Sequence, residues 1–269
     1  MITENLFFII GPLRTGSSLM SRCLDDHPES ICLCESEINR ALIRDYFTIL
    51  HFNRMRHHGL TPDNTVKLLN RRRQDSIESL MDWYRDSQDQ FTGLYNKSTI
   101  KAYGDKSPDF FTSSELVHHM AANHRLIYTV RDPRAIYRSI MVQQDSSPKD
   151  KANRWVDFAR NFIAWEPWLE QSNILSVRYE DLVRAPESTM DAVYAHLGLE
   201  PTRRFLEPFS RAFPKRFLWE TAVDWANGVR RDFDSSRIDR WKAELTSFDV
   251  KAITADETVR RFMKRFRYE

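Results

Sequence analysis

Four sets of residues in this sequence have the types and spacing for chemistry, three to handle an anion and one to take a proton. The first is GPLRTGSSLM, residues 11–20, directly after the apolar run Leu6 to Ile10. Backbone N–H groups at a helix start, with hydroxyls beside them, favour a phosphate or sulfate. The spacing outlines a nucleotide-triphosphatase loop, but that loop requires Lys and then Ser or Thr after its second glycine. Ser17 stands at the Lys position. The second set is Arg131 with Ser139 eight residues on. The third is Lys106, after a short strand at 101–103, with Tyr179 after the strand beginning at 174. The fourth is one candidate carboxylate base, Glu35, immediately after SICLC.

That chemistry constrains the reaction. Phosphoryl transfer normally uses Mg²⁺ held by a loop hydroxyl and by an acidic residue at a strand end. Ser18 supplies the hydroxyl, but Asp132 in Arg131-Asp132-Pro133 reads as a helix cap, so the second metal ligand is not evident. A group with less charge than phosphate, such as sulfuryl, needs less metal.

The elements that must position these residues are legible as a strand–helix alternation. Residues 6–10 form a continuous apolar run, as expected of a central parallel strand, and RLIYTV, 125–130, reads as a second buried strand. SICLC and ILSVRYE, 174–180, add two more. Leu19, Met20, Cys23 and Leu24 share one helix face after the loop, and His27-Pro28 ends that helix. Gly104 reads as a turn after the strand at 101–103, and Lys106-Ser107-Pro108 as a helix opening. Trp155, Phe158, Phe162 and Trp165 recur in steps of three and four, which marks a packed helix ahead of an aromatic cage. Further helices are expected at 186–197 and 249–266. The expected fold is one three-layer α/β domain over 1–269, mainly parallel, with a P-loop-like loop. It carries inserted helices at about 36–98 and a covering loop and helix at about 230–269. Loops at the carboxyl ends of the strands then gather around one crevice.

The totals exclude other classes. Forty basic against 38 acidic residues leave +2, which argues against general nucleic-acid or anionic-membrane binding. Three cysteines, Cys23, Cys32 and Cys34, make no disulfide framework and no second pair for zinc. No apolar run approaches membrane-spanning length, so a cytoplasmic, soluble protein is expected.

The motifs together resemble the sulfotransferases that use 3′-phosphoadenosine 5′-phosphosulfate (PAPS). Leu13-Arg14-Thr15-Gly16-Ser17-Ser18 is similar to that family's 5′-phosphosulfate loop, and Arg131 with Ser139 to its 3′-phosphate grip. SSRIDRWKAEL, 235–245, is similar to its cofactor-covering segment, with Arg237 or Arg240 reaching the cofactor. LMSRCLDDHPESICLCESE resembles the tyrosylprotein-sulfotransferase-like group. That register implies a soluble, bacterial-type member with Glu35 as base, Lys106 as activating lysine and Tyr179 as a cofactor contact. Gln143 and Glu37 depart from the group's basic residues, so its protein-tyrosine acceptor does not carry over.

The resemblance implies transfer from PAPS to an acceptor hydroxyl, leaving adenosine 3′,5′-bisphosphate (PAP), with no metal required. Arg14 and Lys106 would neutralise developing charge. The acceptor is left open among carbohydrate, lipid and other small molecules, as is the oligomeric state. An aromatic segment at 205–235, with Phe205, Phe209, Phe213, Phe217, Trp219 and Trp225, reads as a lid or as core. Two rival classes stay open: a P-loop-type kinase or nucleotide hydrolase, and a non-catalytic nucleotide-binding module. Glu35 and Lys106 also read as solvated surface residues, and His27 is a rival base.

Overall fold

A computed structural model describes residues 5–34, 77–107, 110–111, 113–143, 146–207 and 233–268. Leu6–Ile10 forms strand β1, Ser30–Cys34 β2, Ala102–Lys106 β3, Arg125–Val130 β4 and Ile174–Arg178 β5. All pairings are parallel, in the order β2-β3-β1-β4-β5. The central place of β1 explains its five consecutive apolar residues, because both of its faces are covered.

The pleat sorts its side chains into two cores. Phe7 and Ile9 pack with Met20, Cys23 and Leu24 of helix α1, Ser17–Asp25, and with helix residues Met190 to Leu197. Leu6, Phe8 and Ile10 pack on the other face with Val117, Met120, Phe158 and Phe262. This alternation, period two on the strands and three to four on the helices, produces the three layers.

Helix Pro148–Trp165 opens with a capping box between Ser147 and Asp150. Its aromatic stripe is core: the Phe158 and Phe162 rings each lie 5.1 Å from Phe262. Among the described residues no helix is long and apolar enough to cross a membrane.

Three expectations are corrected. β3 runs to Lys106, and the following helix is Ser114–Asn123, capped by Ser113, not one opened by Lys106-Ser107-Pro108. The turn expected at Gly104 is not formed. That glycine sits mid-strand because a Cβ there would lie 2.1 Å from the Phe7 carbonyl oxygen. The helix expected over 249–266 is two, Ser247–Ala255 and Glu257–Phe266. Asp256 is extended at φ −66°, ψ 130° and caps the second by accepting from Val259 N–H.

Of the inserted segment, residues 77–86 and Gln88–Tyr95 are helical. Ile77, Leu80, Met81 and Tyr84 are buried against the sheet. Lys97, just beyond, donates to the carbonyls of Asp25 at 2.5 Å, His27 at 3.1 Å and Ser30. It thereby ties the end of α1 to the start of β2, the strand that leads to Glu35. Glu35 itself, residues 36–76 and most of the aromatic segment at 205–235 lie outside the described residues.

Candidate functional site

The strand tips of β1, β3, β4 and β5 meet at one edge of the sheet. After β1 the chain turns through Arg14 at φ 69° and Gly16 at φ 85°, then enters α1 at Ser17. Gly16 is the N-cap, no side chain caps the first turn, and no acidic residue lies in it. The first N–H groups of α1 are therefore left for an external acceptor, with the dipole favouring an anion.

The loop is braced from within. Thr15 is 1% exposed, and its hydroxyl donates to the Pro12 carbonyl at 2.8 Å and meets the Thr129 hydroxyl at 2.7 Å. That hydroxyl is committed to the loop's shape, so Thr15 can offer an anion its backbone N–H only. Ser17 and Ser18, half-buried in the first turn, carry the hydroxyls beside the uncapped helix end.

Arg131 and Ser139 both lie against this loop. Arg14 Nε donates to Ser139 Oγ at 2.9 Å, and Arg131 Nη1 donates to the Arg14 carbonyl at 3.3 Å. Arg131 Nη2 donates to the Arg237 carbonyl at 2.9 Å, which ties the segment Ser235–Arg237 to Arg131. The guanidinium lies 4.3 Å from the centre of the Tyr179 ring. Burial pulls the Arg131 pKa down from its usual value, opposed by Tyr179 and Glu180. Its Nε–H is buried and has no hydrogen-bond partner among the described residues. A half-buried guanidinium with such a donor is an arrangement an anionic ligand would complete.

Tyr179 is buried against the loop. A Cβ on Gly16 would lie 2.5 Å from Tyr179 Cδ2. Gly16→Ala is therefore expected to destabilise by about 1–2 kcal/mol through its left-handed φ. By pushing the ring under Arg131 it should also lower turnover by up to about 10²-fold, as an ångström of misplacement can. Thermal melting and initial rates on the purified variant check both.

Asp132 caps the helix Pro133–Met141 by accepting from Arg134 N–H at 2.8 Å. The Arg134 side chain forks onto both carboxylate oxygens, at 2.9 and 2.7 Å. Among the described residues no group of three or more His, Cys, Asp or Glu side chains lies together.

Lys106 is the last residue of β3, 2% exposed, in register with Ile9 of β1 and Cys34 of β2. The strand order thus sets it between the phosphate loop and the residue that precedes Glu35. Arg240 is exposed at the start of helix Arg240–Glu244, while Arg237 is half-buried beside Asp234 at 3.4 Å. His27 is no free base: Nδ1 accepts from Glu29 N–H at 3.0 Å and Nε2 meets the Glu200 carbonyl at 2.9 Å.

A family model described as the sulfotransferase family matches residues 7–203. Protein-tyrosine sulfotransferase A of Caenorhabditis elegans is 25% identical over 222 residues, 73% of this chain and 50% of that protein. The chain thus spans about half the length of this curated relative. Two solved structures share the fold at 17% identity over 100% of this chain. One is the sulfotransferase domain from the Synechococcus PCC 7002 olefin synthase, TM-score 0.63 over 96% of that chain. The other is the sulfotransferase domain from the curacin biosynthetic pathway, TM-score 0.64 over 99%. Mouse sulfotransferase SULT7A1, solved with PAP, aligns at TM-score 0.52 and 12% identity over 97% of this chain and 89% of that one.

Proposed function

The chain belongs to the sulfotransferase family, and we propose that its cleft takes PAPS as donor and passes the sulfuryl group to an acceptor hydroxyl. The observation that carries this reading is the bond from Arg14 Nε to Ser139 Oγ. With the bond from Arg131 Nη1 to the Arg14 carbonyl, it supports placing the uncapped helix end and Arg131 on one ligand, as a nucleotide with phosphate at both ends requires.

PAPS supplies an activated sulfuryl whose leaving group is a stable phosphate. The chain's residues do the rest. The N–H groups of Thr15, Gly16, Ser17 and Ser18, with the two serine hydroxyls, hold the 5′ end. Arg131 and Ser139 hold the 3′-phosphate, with Tyr179 supporting Arg131. Arg237 and Arg240 close the covering segment. Binding at the remote 3′ end fixes the reacting end. Arg14 and Lys106 offset negative charge where it grows, and Glu35 takes the acceptor proton. Asp132, with both oxygens on Arg134, is a cap in this scheme, and no metal-held step is invoked.

The acceptor is a small-molecule, carbohydrate or lipid hydroxyl, in a cytoplasmic setting, selected by the segments at 36–98 and 205–235. Incubation with ³⁵S-labelled PAPS, a hydroxyl-bearing panel and chelator is expected to give label transfer. With ATP and Mg²⁺ no phosphoryl transfer is expected. ATP turnover, or binding of ATP in preference to PAPS, would contradict the reading.

A further inference from the structure

Glu180, Tyr268 and Arg134 form a buried polar cluster beside Arg131 that the nucleotide-holding residues leave unexplained. Glu180 is 3% exposed and Tyr268 is 5% exposed. A carboxylate in such a place is costly unless its oxygens are bonded. Glu180 Oε1 accepts from Asp132 N–H at 3.1 Å, and Oε2 accepts from the Tyr268 hydroxyl at 2.7 Å. Asp132 directly follows Arg131, and Glu180 directly follows Tyr179, whose ring carries the Arg131 guanidinium.

Tyr268 makes further ties. Its carbonyl accepts from Arg134 Nη2 at 2.9 Å, the same side chain that forks onto Asp132. The Arg134 guanidinium lies 4.1 Å from the Trp241 ring centre, within the covering segment. The Arg178 guanidinium lies 4.6 Å from the Tyr268 ring centre. One residue therefore joins the tips of β4 and β5 and, through Arg134, reaches the segment that closes over the cleft. Burial, then the Glu180 carboxylate, hold the Tyr268 phenol far above its usual pKa, so it stays a donor.

We propose that Tyr268, acting through Glu180, is a positioning residue that sets Arg131 for the 3′-phosphate of the nucleotide. The inference rests on the donor assignment above. Glu180 links two turns whose separation decides where Arg131 sits, and the Tyr268 hydroxyl fixes the orientation of that carboxylate. Without the hydroxyl, Glu180 Oε2 loses this partner in a buried place and the carboxylate is free to turn. Arg131 would then lose alignment, while the loop before α1 keeps the internal brace of Thr15 on Pro12 and Thr129.

The test is calorimetric titration of PAP and of adenosine 5′-monophosphate, which lacks the 3′-phosphate, into wild type and Tyr268→Phe. The ratio of the two affinities reports the 3′-phosphate alone. Tyr268→Phe is expected to shrink that ratio about tenfold, with the monophosphate affinity changed less than about twofold. An unchanged ratio, or equal weakening of both ligands, overturns the inference. If Tyr268→Phe does not fold, Glu180→Gln is judged by the same ratio, and failure of both to fold assigns the cluster a purely structural role. A wild-type protein with no preference for PAP overturns the donor assignment itself, and the inference with it.

Discussion

Lys106→Met lowers kcat by about 10²–10³-fold while PAP affinity stays within about twofold, as expected for a donor that acts on charge growing at the reacting centre. The expectation follows from register. β3 lies between β1 and β2, so its last residue stands beside the tip of β1 and beside Cys34. Lys106 is 2% exposed, and a cation so shielded interacts more strongly than one in water. Methionine keeps the length and apolar stem while removing the charge. Single-turnover rates separate this effect from donor binding. A solvated-loop lysine would give no change, and a general fold defect would weaken PAP as well.

Glu35→Gln produces the largest loss expected of any substitution, about 10²–10⁴-fold in kcat/KM, the usual range for a general base. Glu35 follows Cys34, the last residue of β2, and Cys34 pairs with Lys106. The acceptor hydroxyl must lose its proton as it bonds to sulfur, and the amide cannot take it. PAP affinity should be unchanged. Rates measured with a limiting acceptor check the loss. Full activity in Glu35→Gln would return the residue to the surface and reopen the search for a base.

How much of this was legible before the fold was known depended on range. The apolar run 125–130 matches β4 to the residue, because a strand covered on both faces leaves a local signal. Asp132-Pro133 announced the helix start for a similarly local reason, a cap followed by a residue that has no N–H to satisfy. The pairing of Arg131 with Ser139 came from spacing and resemblance, and both side chains do reach the loop, through Arg14.

Signals that depend on packing were lost. Gly104 looked like a turn because nothing local says that the Phe7 backbone presses on it. Thr15 read as a phosphate ligand, yet its hydroxyl faces Thr129, 114 residues away. The Tyr268–Glu180 bond joins residues 88 apart, and neither position carries a motif. A buried polar pair of that kind becomes visible only when the chain has brought both partners out of water.

The central claim is that one cleft holds a nucleotide by phosphates at both ends, with Arg131 gripping the 3′ one. It is tested most directly by comparing PAP with adenosine 5′-monophosphate on wild type and on Arg131→Met. Charge-assisted bonds contribute about 1.5–3 kcal/mol each, so two of them favour PAP by on the order of 10²–10⁴-fold in wild type. Arg131→Met should remove most of that preference and leave the monophosphate affinity in place. Equal affinity of wild type for the two nucleotides would contradict the account.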